Sequence, residues 1–184
     1  MNKVKLLLLL FPFLFAASCT EEEVPDNPED FTIYFQFDHV NHAWGYQHRG
    51  FIIDQQGTLY DYNQPENWIW PENDLIKIED FESNLLQATA RDTLLNENTL
   101  QKMEQLALKA RQGRLSEGKS VMADAGAEIY AIYLAKKDSP ILTRYLLQQR
   151  GDWYQKNTSP ASDILTEWLI EVRGESGFPE EHFN

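Results

Sequence analysis

The stretch Phe31-Thr32-Ile33-Tyr34-Phe35-Gln36-Phe37-Asp38 decides the fold class. Phe, Ile, Phe and Phe fill its odd positions, and Thr, Tyr, Gln and Asp its even ones. Successive side chains of a strand point to opposite faces, so this period of two marks a half-buried strand. Residues 50–54 and 58–62 read as two more strands around Gln55-Gln56-Gly57, where the glycine can supply the positive φ of a hairpin turn. Residues 127–135 and 141–149 form a second expected hairpin around 136–139. Residues 38–49 read as a polar, aromatic loop. Residues 63–74, with two prolines and two tryptophans, read as a long ordered loop.

Helical signals fall between and after the hairpins. Phe81, Leu85 and Leu86, with Leu94, suggest a short helix. Asn98 can cap a second one, in which Leu100, Met103, Leu106, Ala107 and Ala110 share a face. Lys109 and Arg111 suit its C-terminal dipole, and Gly113 is the expected stop. Ser159 caps a third helix with Pro160 in its first turn. Ile164, Leu165, Trp168, Leu169 and Val172 form its apolar stripe, and Gly174 is its expected end. The chain therefore reads as α+β: an antiparallel sheet of four to five strands in two hairpins, with two to three helices packed on one face. Residues 31–174 make one globular domain, and 175–184 a loose tail.

Ahead of the domain, Lys3 and Lys5 precede ten apolar residues at 6–15, then Ala16-Ala17-Ser18-Cys19. A basic start, a short apolar run and a small-residue exit describe an export signal too short to span a bilayer. The small residues leading into Cys19 resemble the lipobox of bacterial lipoproteins, with Ala16 where that family usually has leucine. The resemblance implies cleavage after residue 18 and acylation of Cys19. Glu21, Glu22 and Glu23 then resemble the surface-export signal of Bacteroidota lipoproteins, which implies an outer-membrane lipoprotein exposed at the cell surface. The segments Asn41-His42-Ala43-Trp44-Gly45-Tyr46, residues 49–54 and Gln149-Arg150-Gly151-Asp152 with Asn157 are similar to small lipoproteins of that phylum, a likeness that implies no particular activity. Residues 19–30 hold six acids, two prolines and no base, and read as a solvated acidic tether.

The leader holds two of the 16 basic residues and none of the 29 acidic ones, so cleavage leaves 166 residues with a formal charge of −15. A chain this acidic lacks the clustered Lys and Arg that nucleic acid requires. The bilayer is thus expected as a partner only through the N-terminal acyl chains. With Cys19 carrying lipid, the mature chain has neither a disulfide nor a thiol nucleophile.

Four patterns invite chemical readings, and each has a plainer one. Residues 113–120 match the phosphate-loop letters G-x-x-x-x-G-K-S, but a helix precedes them and a strand follows, the reverse of what phosphate binding needs. No nucleotide or other cofactor is expected. His39, His42 and His48 lie within ten residues, a set an open zinc site could use, yet no His-Glu-x-x-His helix supports them and no metal is expected. Asp54 and Asp61 flank the first hairpin, without the cleft that paired-carboxylate chemistry uses. Arg150-Gly151-Asp152, an integrin-ligand tripeptide, also reads as a strand end and a turn. No catalytic residue is assigned. Asp92-Thr93-Leu94 resembles the O-glycosylation acceptor of Bacteroidota exported proteins, which makes Thr93 a candidate.

Aromatic residues carry the remaining signal. Residues 31–70 hold 11 of the chain's 23 aromatics. Phe31, Phe35, Phe37 and Phe51 belong to the core by alternation. Trp44, Tyr46, Tyr60, Tyr62, Trp68 and Trp70 fall in loops or on a second sheet face, where rings can stack on sugars or anchor a peptide. The expected function is a non-catalytic binding module for a glycan or protein. A periplasm-facing inhibitor or immunity-type lipoprotein, steered to a basic enzyme by its charge, is the alternative.

Overall fold

The computed structural model describes residues 26–43 and 45–175. Cys19, Glu21, Glu22, Glu23, Trp44, the segment 176–184 and the side chain of Thr93 lie outside that description. A 3-10 turn at Pro28–Asp30 leads into strands β1 (Phe31–Asn41), β2 (Gln47–Ile53), β3 (Thr58–Asn63) and β4 (Leu75–Lys77). Helix α1 (Ile78–Leu85), β5 (Thr89–Leu94), α2 (Glu97–Ala110) and β6 (Lys119–Ser120) follow. The chain then forms β7 (Ala127–Lys136), β8 (Ile141–Gly151), β9 (Trp153–Lys156) and α3 (Pro160–Glu175).

The fold is α+β, with one antiparallel sheet ordered β5-β3-β2-β1-β7-β8-β9-β6 and β4 added against β8. Its nine strands exceed the four to five read from the sequence. The expected strands are all present. Those missed are short or polar edge pieces: β4, β6 and β9 have two to four residues, and β5 (Thr-Ala-Arg-Asp-Thr-Leu) has no apolar alternation. Residues 38–41, read as loop, continue β1, because their polar side chains are buried against partners of their own.

The two faces of β1 build two cores. Phe31, Ile33, Phe35 and Phe37 face α2 and α3, meeting Leu100, Met103, Leu165 and Trp168. Phe35 meets the edge of Trp168 at 5.0 Å. Burying each such side chain contributes about 1.5–3 kcal/mol. Tyr34 on the opposite face packs with Ile52, Tyr62, Tyr133 and Phe81 of α1. Helices therefore cover both faces, not one.

Local signals explain the element ends. Asn96, not Asn98, caps α2, its Oδ1 accepting from the backbone N–H of Asn98 and Thr99. Leu94 lies in β5 rather than extending α1. Gly113 sits beyond α2, where a Cβ would lie 1.9 Å from Asn157 Oδ1, so close packing explains the glycine better than helix termination. Gly174 lies within α3. Ser159 Oγ accepts from Ala161 N at 3.3 Å, the expected cap of α3. Upstream, Asn27 caps the 3-10 turn and Asp26 pairs with Arg111, so ordered contacts begin before Phe31.

On the α2/α3 face, Glu128 is buried and paired with two arginines. Arg173 of α3 reaches its Oε1 at 2.5 Å, and Arg150 Nε lies 3.0 Å from its Oε2. This network ties α3 to the start of β7, where losing one partner would strand a buried charge.

Candidate functional site

The α1 face carries a polar row at the far end of β1. Asp38 of β1, Gly50 of β2 and Tyr62 of β3 lie side by side across three strands. A Cβ on Gly50 would sit 2.0 Å from the Phe37 carbonyl oxygen and 2.4 Å from the Tyr62 hydroxyl. The missing side chain lets the Tyr62 ring cross over β2 to β1. There its hydroxyl lies 2.6 Å from Asp38 Oδ1 and 2.9 Å from the Phe37 carbonyl. Gln36 Nε2 donates to Asp38 Oδ2 at 2.8 Å and to the Tyr62 hydroxyl at 3.1 Å. His48 Nε2 lies 2.8 Å from Asp38 Oδ1. Three donors thus converge on one carboxylate that is 2 % exposed. Burial and the adjacent Asp38 charge raise the Tyr62 phenol well above its ordinary value, so it stays a donor.

Rings are stacked on this polar floor. Trp70 lies over His48 at 4.7 Å between centroids, Trp68 meets His48 edge-on at 5.0 Å, and Trp68 lies 4.3 Å from Tyr62. Tyr46 adjoins His42 at 5.1 Å. The loop carrying both tryptophans is held to α1 and the turn that follows it by two amide clamps. Buried Asn84 bonds both the N–H and the carbonyl of Ile69 at 2.8 Å, and Gln87 does the same for Asn67 at 3.1 Å. These clamps set where Trp68 and Trp70 stand, and the sequence carried no sign of them.

Two clefts open beside Trp70. One, of about 500 Å³, runs over Val40, Asn41, Ile129 and Gln149 to Asp152 and Trp153. The other, of about 480 Å³, lies between Trp70, Leu75, Asp80 and Ile141. Both fall in the range of small-ligand sites. Trp70 is 38 % exposed and Trp153 45 %. Trp153 was not singled out from the sequence, because a lone tryptophan after a glycine turn has no pattern. Its ring lies on Gly118, where a Cβ would come within 2.3–2.5 Å of the indole. Asp152 accepts from the backbone N–H of Ala125 and Gly126, which fixes the cleft's end wall.

The sequence candidates separate by role. Tyr46 and Trp70 are exposed and face solvent, while Trp68 is half-buried and supports them. Tyr62 is buried and acts as a brace, so it cannot itself touch a ligand. Tyr60 lies apart, its hydroxyl donating to Asp54 in the first hairpin. Thr93 lies in β5.

The other motifs resolve into local structure. His39 and His48 project from opposite faces of the sheet, since His48 registers with Val40 and not with His39. They cannot share an ion, and no group of three metal-ligating side chains occurs among the described residues. The phosphate-loop letters end in β6 where that chemistry needs a helix. Asp54 spends its carboxylate on the N–H of Gln56 and Thr58 and on Tyr60, and Asp61 pairs with Arg91. Arg150 and Asp152 of the Arg-Gly-Asp tripeptide are engaged with Glu128 and with backbone amides. No helix among the described residues is long and apolar enough to cross a membrane. No protein-family model matches the sequence, and no curated protein matches it significantly.

Proposed function

We propose that the protein is a lipid-anchored, exported binding module that takes a glycan or protein ligand in the clefts beside Trp70, without catalysis. One observation carries this reading: two tryptophans line a cleft while roughly two-fifths exposed, and each is held from behind by a rigid contact. Exposed indoles are costly to leave in water and are the usual anchors of recognition surfaces. The Asp38–His48 pair is spent on holding Trp70, which suits binding better than proton transfer.

The direction of the chain supports attachment through Cys19. The tether enters at Phe31, whereas the cleft lies at Val40 and Asn41, at the other end of β1. Ten residue steps at about 3.3 Å each separate them by roughly 33 Å. In a domain anchored at its N-terminus, this cleft lies at the end of β1 away from the attachment point.

The test is capture of glycans and secreted proteins on the immobilised mature chain, compared with Trp70→Ala and Trp153→Ala. Loss of the captured ligand in both variants is the expected result. A ligand retained equally by both would sink the cleft reading. Protease shaving of intact cells, with Glu21, Glu22 and Glu23 changed together to alanine, tests the surface location separately. Protection of the wild type would move the domain to the periplasmic side.

A further inference from the structure

We propose that the ligand is an elongated, uncharged oligosaccharide lying across Trp70 from one cleft to the other, with Trp153 as its second stacking platform. This rests on the binding reading above and names the ligand class of the same site. Trp70 lines both clefts, so a ligand that passes over this ring reaches from one to the other. A compact ligand would fill one compartment. A chain crosses the ring and occupies both.

The chemistry of the lining selects among chains. An extended peptide is most often bound by the free edge of a strand, through main-chain hydrogen bonds. The strands flooring the larger cleft offer no such edge: β1 pairs with β2 and β7 there, and β7 pairs with β1 and β8. Beside the second cleft β4 pairs only with β8, but this edge is three residues long and the N–H and carbonyl of its Leu75 already bond Glu72. The cleft is lined by two indoles beside the amides of Asn41 and Gln149 and the carboxylates of Asp124 and Asp152; Asn41 and Asp152 already bond backbone groups, and their oxygens keep a second acceptor site each. Amides and carboxylates accept from hydroxyls, while an indole face takes the apolar C–H face of a pyranose. Across Trp70 the pattern repeats, with Glu72, Asn73 and Asp80 beside the ring and Lys77 the only base. Carboxylates in both compartments, on a chain of formal charge −13, repel uronic, sialic or sulfated sugars.

Both platforms are set before any ligand arrives. Trp153 rests on the space that Gly118 leaves, and Trp70 on His48, itself pinned by Asp38. Rings fixed in this way lose little freedom on binding, which favours stacking on a repeating, flat-faced polymer.

The experiment is calorimetric titration of the full mature chain with neutral oligosaccharides, from monosaccharide to hexasaccharide, drawn from several linkage types. Uronic-acid oligomers and a lysine-rich peptide serve as comparison probes. The expected result is affinity that rises at least about tenfold with chain length for one neutral series, and falls about tenfold in Trp153→Ala or Trp70→Ala. Trp153→Phe should recover most of it. Because Trp153 is half-exposed, its alanine variant keeps the fold, which near-ultraviolet circular dichroism checks. Equal affinity for a monosaccharide and a hexasaccharide would overturn the crossing of Trp70. Tighter binding of the acidic oligomer or the peptide, with the same dependence on Trp153, would overturn the ligand class and leave the binding cleft standing. A ligand of any class that ignores both tryptophans would overturn the inference and the binding reading together.

Discussion

Replacing Asp38 with asparagine changes one atom and tests the whole floor of the site. In the wild type, Oδ1 receives His48 Nε2 at 2.8 Å and the Tyr62 hydroxyl at 2.6 Å, and Oδ2 receives Gln36 Nε2 at 2.8 Å. With the asparagine oxygen at the Oδ1 position, the first two bonds survive without charge assistance, a loss of about 1 kcal/mol each. The new amide nitrogen then confronts Gln36 Nε2, donor against donor. Rotating the Gln36 amide relieves that contact but gives up its bond to the Tyr62 hydroxyl, at about another 1 kcal/mol. Asp38→Asn should therefore destabilise the domain by about 2–4 kcal/mol, a large share of the roughly 5–15 kcal/mol that holds a domain together. In urea, with a slope of about 2 kcal/mol per molar, the midpoint should fall by roughly 1–2 M. Because His48 backs Trp70, the near-ultraviolet dichroism of the tryptophans should change in the native baseline as well. A midpoint within about 0.3 M of wild type, with an unchanged tryptophan signal, would refute the convergence of three donors on this carboxylate.

Three further outcomes follow from the same geometry. Gly50→Ala should cost about 3 kcal/mol or more and leave little folded protein, because its Cβ would press on the Phe37 carbonyl and the Tyr62 ring; a wild-type thermal midpoint would contradict it. Gly118→Ala should leave thermal stability within about 1 kcal/mol, since it displaces only the half-exposed Trp153 ring, yet shift tryptophan emission; an unchanged spectrum would show that the ring does not rest there. Burial raises the phenols of Tyr62, Tyr130 and Tyr133, with Asp38 adding to the first and third and Glu128 to the second. Stability from each is complete below the unfolded value of about pH 10 and is lost above it, at about 1.4 kcal/mol per pH unit. Absorbance at 295 nm and far-ultraviolet dichroism should then change together on alkaline titration, and ionisation of all eight tyrosines near pH 10 in a folded chain would refute this.

The alternation at 31–37 made the central strand legible, and from it the α+β class. The alternation also implied a half-buried strand, and there it fell short: Tyr34 and Gln36 on the other face are buried as well, because α1 and its loop cover that side. It failed at Asp38–Asn41 for a physical reason. Buried polar residues look like loop when their partners are far away in the chain, and Tyr62 lies 24 residues from Asp38. The polar row that broke the strand pattern is the floor of the candidate site. Four of the aromatic candidates do meet around His48, because β2, β3 and the following loop converge there: Tyr46, Tyr62, Trp68 and Trp70. Which of them face solvent depended on Gly50 and on the amides of Asn84 and Gln87, residues whose roles exist only in three dimensions.

Two features of the structure oppose stability and point the same way. A carboxylate, an imidazole, an amide and a phenol occupy the interior of one sheet face, where aliphatic side chains would pack without the desolvation those groups incur. A tryptophan stands half in water over a glycine, where a larger residue at 118 and a polar one at 153 would relieve both the glycine's entropic cost and the exposure. Neither feature helps the sheet close. Both fix a ring. The polar row holds His48 so that Trp70 cannot settle into the sheet face, and Gly118 gives Trp153 a flat bed with its opposite side open. Stiff, outward-facing rings reduce the ordering that a ligand would otherwise have to impose, and that reduction appears as affinity only when something stacks on them. The groups that weaken the fold are therefore the groups that shape the cleft, and functional sites are where a chain departs from the choices that folding alone would favour.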